Sequence, residues 1–245
     1  MILLLALAAA VADPLAGCRA DLSRDPAATL ATIEGKRDKG QLVLTDRECL
    51  GLAYVEAARF DAAALTFEGA AQAAEVDGDQ AAPGLWTQAG NAALAMGDAG
   101  RARASLTRAL SFKSFGGQLR GEVNLDRARA EVQAGDPSAA RLDLDEALKL
   151  VPADPMAWLL SATLARRQGD GARAQADIAK AVELAPGDPA VALEAGNVAA
   201  SVGAPDAARV AWQHAVEADP DGGAGKSAKA ALVALDASAP GEVHR

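Results

Sequence analysis

The 245-residue sequence is short of aromatic, cysteine and histidine residues, and each shortage excludes a class of structure or site. Aromatic residues supply only 3% of the chain although apolar residues supply 51%. This disfavours a β-sandwich, because strands are rich in aromatic and β-branched side chains. The two cysteines and two histidines are too few for a clustered structural zinc site. Much of the apolar total is alanine, which has the highest helix propensity, so the composition predicts an all-α protein with closely packed helices.

Runs of Lys and Arg are absent as well. The formal net charge is −9, so the field of the whole molecule repels phosphate backbones. Beyond the first dozen residues, no apolar stretch approaches the roughly 20 residues that cross a bilayer. We therefore expect neither a nucleic-acid partner nor a membrane-spanning helix in the body of the chain.

No group of residues indicates catalysis. His214 falls in a predicted helix and His244 in the C-terminal tail, so neither can be matched to a nucleophile and an orienting carboxylate. Asp143, Asp145 and Glu146 fall on a helix among basic neighbours, which predicts a solvated face rather than an acid/base pair. The sequence thus predicts no catalytic residue, no metal site and no cofactor.

One short segment, Gly225-Lys226-Ser227, resembles the end of a phosphate-binding loop. Pro220 stands where the first glycine of such a loop belongs, and a helix rather than a strand is predicted before it. A joint before the last helix is the favoured interpretation.

The N-terminus has the pattern of a secretory signal. Residues 2–12 form an apolar run, and Ala10-Val11-Ala12 supplies the small-x-small pattern that signal peptidase recognises. Residues 1–12 are therefore predicted to be a signal peptide, and the protein to be periplasmic or otherwise exported. The alternative is a buried apolar first helix in a cytoplasmic protein.

Leu15-Ala16-Gly17-Cys18 also resembles a lipobox, in which Cys18 would be acylated and become the mature N-terminus. Asp13 and Pro14 interrupt the apolar run that a lipoprotein signal would keep. A membrane-anchored lipoprotein is therefore a second alternative, and membrane association is expected only if Cys18 is lipidated.

The two cysteines, Cys18 and Cys49, are predicted to form a disulfide, because their count is even and the chain is expected to be exported. Closing a loop of about 30 residues would contribute on the order of 3–4 kcal/mol in the chain-entropy model. Two independent buried thiols are the alternative.

The chain repeats itself with a period of 34 residues. One copy contains Trp158, Gly169, Ala174, Ile178, Ala181 and Pro186. The copy 34 positions later has Ala192, Gly203, Ala208, Trp212, Ala215 and Pro220, and the copy 34 positions earlier has Asn124, Gly135, Ala140, Leu144, Ala147 and Pro152. Two further copies contain Trp86, Gly90, Gly97, Ala102, Leu106 and Ala109, and Leu50, Gly51, Tyr54, Phe60, Ala63, Phe67 and Ala70. Five units begin near residues 44, 83, 121, 155 and 189.

These residues resemble the tetratricopeptide repeat family, whose pattern runs from a tryptophan through Leu-Gly, a tyrosine, a turn glycine, alanine, phenylalanine and alanine to a closing proline. The resemblance covers residues 44–222 and implies an α-solenoid of about five helix-turn-helix repeats. The sequence departs from the family at the tyrosine, which is replaced by Ala93, Glu131, Ala165 and Ala199. Ala58 stands where the later copies carry the turn glycine.

A solenoid of this kind needs covered ends. Residues 13–43 are predicted to be an N-terminal capping segment, in which Asp25 caps a helix that begins at Pro26. At the other end, residues 223–236 are predicted to be a capping helix and residues 237–245 a flexible tail.

The resemblance also implies a binding groove, because the first helix of each unit lines the concave side in the family. In each unit, the residue that directly follows the small residue of the Leu-Gly position would point into that groove. The predicted peptide-binding row is Asn91, Arg129, Thr163 and Asn197, with Arg166 one turn from Thr163 and Leu52 at the start of the row. Asn can bond an extended backbone and Arg can bind a carboxylate, so the row suits a peptide with an acidic group, although Glu122 is a candidate to neutralise Arg129.

The predicted function is that of a non-enzymatic scaffold for protein–protein interaction, which binds a polypeptide in its concave groove during envelope assembly or complex maturation. The alternative is a stabilising or accessory subunit of a larger complex, which binds through edges or caps.

Overall fold

The computed structural model describes residues 13–238, and the predicted signal peptide therefore lies outside the described residues. Between these limits the chain forms thirteen helices and no strand, which confirms the all-α prediction. No helix in this part of the chain is long and apolar enough to cross a membrane. The chain divides after Phe115 into two compact units.

The helices pair in sequence order. The first unit contains α1 (Ala16–Arg24), α2 (Pro26–Asp38), α3 (Leu44–Glu56), α4 (Phe60–Asp77), α5 (Ala82–Ala95) and α6 (Ala99–Leu110). The second unit contains α7 (Gly117–Gln133), α8 (Pro137–Leu150), α9 (Pro155–Arg167), α10 (Gly171–Leu184), α11 (Pro189–Ser201), α12 (Pro205–Ala218) and α13 (Gly223–Ser238). Within each unit, consecutive helices pack together from α3 to α6 and from α7 to α13.

The ends of the helices follow from local chemistry. Six helices begin after an aspartate whose side chain accepts a hydrogen bond from a backbone N–H of the first turn. These aspartates are Asp25, Asp98, Asp136, Asp154, Asp170 and Asp188. Proline often follows at the first helical position, where its missing N–H costs no hydrogen bond. The helices α9 and α11 accordingly start at Pro155 and Pro189, whereas α7 starts at Gly117, ahead of the repeat frame.

A left-handed residue turns the chain between the two helices of each pair. Gly97, Gly135, Gly169 and Gly203 have φ between 78° and 84° there. Ala58 occupies the equivalent position after α3 with φ of 53°. Because a β-carbon makes this conformation unfavourable by roughly 1–2 kcal/mol, the first pair retains strain that glycine removes in the others.

In each pair, a small residue of the first helix faces a large residue of the second. A β-carbon on Gly51 would overlap Phe67, one on Gly90 would overlap Leu106, and one on Gly196 would overlap Trp212. The equivalent residues of the two middle pairs are Ala128 with Leu144 and Ala162 with Ile178, and each pair shares one apolar cluster. In all five pairs the large residue stands 16 positions after the small one.

The N-terminal helices close the first unit. The sulfur atoms of Cys18, in α1, and Cys49, in α3, are joined in a disulfide, with 5.9 Å between the two Cα atoms. Helix α2 packs on α3 through Ile33, which is 5% exposed and belongs to the main core of this unit. Lys36 donates to Asp46 at 2.8 Å across the same junction and thereby lowers the pKa of the Asp46 carboxyl.

Replacing Gly196 with Ala should destabilise the second unit. The added methyl group overlaps the ring of Trp212, and overpacking of this kind costs about 1–3 kcal/mol, more than the roughly 1 kcal/mol that alanine gains in helix propensity. We expect a net fall of up to about 2 kcal/mol in the free energy of unfolding, measured by urea denaturation with circular dichroism.

The matched control is Gly69→Ala in the middle of α4, where nothing lies within 4 Å of the added carbon. This variant should gain up to about 1 kcal/mol. A Gly196→Ala protein that gains as much as the control would show that the Gly196–Trp212 contact does not limit the packing.

Candidate functional site

The five predicted groove residues lie on first helices of the pairs, in both units. Asn91 lies on α5 in the first unit and is exposed. The second unit holds Arg129 on α7, Thr163 and Arg166 on α9, and Asn197 on α11. In the second unit the structure separates these residues into two groups, one tied into a polar network and one facing an open pocket.

Arg166 and Asn197 belong to the polar network. Arg166 donates from Nε and Nη2 to the two carboxylate oxygens of Glu194, at 2.7 and 3.2 Å. Asn197 donates to the same carboxylate at 3.0 Å and accepts a hydrogen bond from the indole of Trp212 at 3.1 Å. Since Glu194 is only 6% exposed, Arg166 balances a buried charge and joins α9 to α11.

Arg129 and Thr163 face the open pocket, which lies between α7 and α9 and has a volume of about 180 Å³. Its remaining lining residues are Ala128, Val132, Leu144, Leu160, Leu164 and Arg167. The floor is apolar, since Leu144 is 1% and Leu164 is 4% exposed. The Thr163 hydroxyl donates to the carbonyl of Leu159 within its own helix, at 2.9 Å.

Two arginines give this apolar pocket a cationic rim. Arg129 is exposed and forms an ion pair with Asp126 at 3.0 Å through a single nitrogen, so its other donors remain available. Glu122, the residue considered as its neutraliser, instead accepts a hydrogen bond from Gln118 at 3.2 Å. Arg167 is exposed, and no carboxylate of residues 13–238 forms an ion pair with it.

Arg167 is the pocket residue that sequence reasoning missed. In a helix, residues three and four positions after Thr163 both fall near its face, so Arg166 and Arg167 are equivalent candidates in the sequence. Their difference depends on Glu194, which lies 28 residues beyond Arg166 on another helix. The one available signal was that Leu160, Leu164 and Arg167 share the i, i+4, i+7 spacing of a single face.

The prediction of a solvated face at Asp143 is wrong. Asp143 is 6% exposed and accepts two hydrogen bonds from Arg127, both at 2.6 Å. This bidentate contact raises the pKa of the Arg127 guanidinium. Asp143 is buried because it faces α7, the partner helix of its own pair, and its charge is balanced there.

The next pair of helices carries a related buried network. Ser161 donates to Asp177 and accepts from Arg141 at 2.8 Å. Arg173 donates to Asp177 at 3.3 Å and also to Asp145, so α8, α9 and α10 are joined by polar contacts. Burial, followed by repulsion from Arg173, lowers the pKa of Arg141 below its ordinary value. Asp145 and Asp177 are both paired with arginine, so we assign these carboxylates to the packing of the helices and not to a binding site.

The three tryptophans do not form a common site. Trp86 donates to Glu75, Trp158 to the carbonyl of Pro152 at 2.9 Å, and Trp212 to Asn197. Each indole packs against a different apolar cluster. Each tryptophan therefore takes part in packing at its own place along the chain, and Trp86 also joins α5 to α4.

The Gly225-Lys226-Ser227 segment lies in the first turn of α13 and follows the helix α12, not a strand. A β-carbon on Gly225 would overlap the carbonyl oxygen of Asp219. The glycine is thus explained by the close return of α13 onto the end of α12.

Comparison with known proteins identifies the repeat and the fold. Residues 125–189 and 159–223 match the family model described as tetratricopeptide repeat. No curated protein matches the chain at a significant level. Among solved structures, MamA is 17% identical with a TM-score of 0.59, and the match covers 72% of this chain and 92% of MamA.

Two further solved structures are similar. PilF of Pseudomonas aeruginosa is 13% identical with a TM-score of 0.68, over 89% of this chain and 96% of PilF. YrrB, described as a TPR protein with an unusual peptide-binding site, is 18% identical with a TM-score of 0.58, over 81% of this chain and 96% of YrrB. At these identities the likeness concerns the fold.

The ion pair of Arg166 with Glu194 should contribute to stability, whereas the exposed Arg167 should not. Glu194→Gln leaves Arg166 partly buried without its carboxylate, and we expect the free energy of unfolding to fall by about 2–3 kcal/mol in urea denaturation. Arg167→Ala is the control, because it removes an exposed side chain and should change stability by less than about 0.5 kcal/mol. Equal losses in the two variants would contradict the separation into a structural and an open arginine.

Proposed function

We propose that this chain, whose residues 125–223 match the tetratricopeptide repeat family, is a non-enzymatic scaffold that binds a segment of another polypeptide in the pocket between α7 and α9. The observation that carries the proposal is the combination of an apolar floor with a rim of two exposed arginines. The fold shared with YrrB, a TPR protein with a peptide-binding site, supports the choice of a peptide as ligand.

The pocket is sized for one side chain rather than for a whole ligand. A volume of about 180 Å³ is below the roughly 300–1,000 Å³ that a site for a drug-sized molecule occupies. Leu144, Leu160 and Leu164 would contact an aliphatic or aromatic side chain, and burial of such a group supplies binding energy in proportion to its apolar area. The rest of the segment would lie across the exposed faces of α7 and α9.

The rim favours an acidic neighbour for that side chain. Arg129 and Arg167 can each present paired donors to a carboxylate, which is the geometry of the stronger charge-assisted hydrogen bonds. The chain as a whole has a net charge of −9, so an acidic segment is attracted only where cations are concentrated. The proposed ligand is therefore a segment in which an apolar residue is followed by Asp, by Glu or by a C-terminal carboxylate.

A second candidate function, that of an accessory subunit, is favoured by a larger apolar groove of about 450 Å³ formed by α10, α11 and α12. Val182 and Val210 are 38% and 52% exposed at this groove. Ala195 and Ala211 line it at positions where the preceding pair of helices carries Ser161 and Asp177. The absence of that polar pair leaves space that a subunit of a complex could fill.

If the pocket between α7 and α9 binds an acidic peptide, its two arginines should control the affinity. Fluorescent hexapeptides containing Leu-Asp should bind the wild-type chain, and the same peptides with Leu-Lys should not, as measured by anisotropy. Arg129→Ala combined with Arg167→Ala should weaken Leu-Asp binding about tenfold or more, since the loss of one charge-assisted contact is worth about 1.4 kcal/mol or more.

The control is Arg103→Ala, which removes an exposed arginine on α6 and should leave the affinity unchanged. A photo-cross-linking amino acid at position 163 should also capture a polypeptide in cells that produce the protein, and one at position 103 should not. If a polypeptide is captured only from position 210, and the Leu-Asp peptide does not compete, the accessory-subunit function is favoured. This result would overturn the proposal that the pocket between α7 and α9 binds a peptide.

The proposed setting is an exported compartment, where the protein would serve envelope assembly or complex maturation. The apolar run of residues 2–12 and the disulfide support this, because disulfides persist in oxidising compartments. Alkaline phosphatase without its own signal, fused after residue 43, should be active in a bacterial host. The same fusion begun at residue 13 should be inactive, and equal activity of both would contradict export through residues 1–12.

A further inference from the structure

Helix α1 is held on the first unit by few contacts. Seven of its nine residues are exposed, and Leu22 is its buried residue, with Leu15 buried just before the helix. Cys18 is the residue of α1 that packs against the core of the unit. Because a helix of this length is marginal by itself in water, α1 depends on its attachment to α2 and α3.

Polar contacts do not supply that attachment. Arg19 pairs with Asp13 at 3.4 Å and Arg24 with Asp21 at 2.9 Å, both within the N-terminal segment. No hydrogen bond or ion pair in the described part of the chain joins a side chain of α1 to α2 or α3. The disulfide and the burial of Leu15 and Leu22 therefore hold α1 on the rest of the unit, and the disulfide is the covalent cross-link among these contacts.

Helix α2 differs from α1 in this respect. Glu34 accepts hydrogen bonds from Tyr54 at 2.9 Å and from Arg59 at 3.3 Å. Arg37 donates to the Tyr54 hydroxyl at 2.7 Å, and Lys36 binds Asp46. These contacts reach α3 and the start of α4, so α2 remains attached when α1 is lost.

The disulfide is open to a small reductant from one side. It borders a solvent-connected cavity of about 580 Å³ between α1, α2 and α3. Cys18 is half-buried, whereas Cys49 is 6% exposed. Cys18 is thus the more exposed residue of the two, and we expect a thiolate that enters the cavity to attack its sulfur.

We propose that the Cys18–Cys49 disulfide is a redox latch, whose reduction by a dithiol releases α1 while the repeats stay folded. The thiolate of the dithiol attacks Sγ of Cys18, the S–S bond breaks, and Cys49 leaves as a thiolate that takes a proton from solvent. The second thiol of the reductant then displaces Cys18 from the mixed disulfide. The dithiol is oxidised to a disulfide, and the two cysteines are reduced to thiols by its two electrons.

Release of α1 changes the N-terminal face of the first unit. Thr29, Ile33 and Cys49 line the cavity beside α1, and their exposure to solvent increases when α1 leaves. The proposal rests on the contacts of α1 and does not depend on the pocket between α7 and α9. Reduction therefore converts one end of the first unit from a covered to an uncovered state.

The test is limited proteolysis of the full-length oxidised protein with trypsin, in native buffer, with and without excess dithiothreitol. Cleavage after Arg19 and Arg24, both exposed, should become at least tenfold faster on reduction, because a helix must unfold locally to enter a protease. Cleavage after Lys36 and Arg37 in α2 should stay slow. Intact mass after alkylation should show two modified cysteines, and the circular dichroism of the repeats should persist.

The double variant Cys18→Ser with Cys49→Ser is the control. It should be cleaved as fast as the reduced wild-type protein, whether or not dithiothreitol is present. Unchanged cleavage after reduction would show that other contacts hold α1 and would overturn the proposal. So would cleavage of α1 and α2 together, reduction that requires a denaturant, or a protein isolated with an acylated Cys18 and a free Cys49 thiol.

Discussion

The contact between a small residue of one helix and a large apolar residue of the next controls the geometry of every helix pair. Where Gly51 faces Phe67 and Gly196 faces Trp212, a single added methyl group would overlap the ring. Such a contact sets the separation of the two helices and also their rotation about their own axes. It therefore decides which residues face the partner helix, which face the neighbouring pair and which remain open to solvent.

The buried polar contacts are a consequence of that rotation. Arg127 and Asp143 stand one position before Ala128 and Leu144, so they lie beside the apolar contact and face one another. Ser161 and Asp177 stand at the same positions in the following pair and also bond each other. Alanine replaces both residues in the last pair, at positions 195 and 211, and an apolar groove is found there instead. Where these two positions are polar, the helices share an internal polar contact, and where both are alanine, an accessible apolar surface is found.

The sequence predicts the fold well because the residues that recur every 34 positions are those that make the contacts inside each helix pair. The turn glycine, the two alanines and the large residue between them recur 34 residues apart, and the resemblance to tetratricopeptide repeats is confirmed by the match over residues 125–223. The side chains of the candidate site were less predictable, because their roles depend on contacts between pairs. Arg166 and Arg167 differ only in that Glu194 reaches one of them. The burial of Asp143 could have been inferred from its spacing of 16 residues from Arg127, which equals that of the apolar contact beside it.

The same frame produces a filled junction on one side of α9 and an open one on the other. Toward α11, Arg166 meets Glu194 and Asn197, and Trp212 completes a network that leaves no unbalanced charge. Toward α7, Leu160, Thr163 and Arg167 line a pocket whose opposite wall is formed by Ala128, Arg129 and Val132, and the space between the two helices stays open. A junction that saturates its own polar groups stabilises the stack, whereas a junction that leaves an apolar floor and a free cation has binding capacity left for another molecule. The pocket thus lies at the junction of α7 with α9, where apolar side chains are left uncovered and Arg167 has no ion-pair partner among residues 13–238.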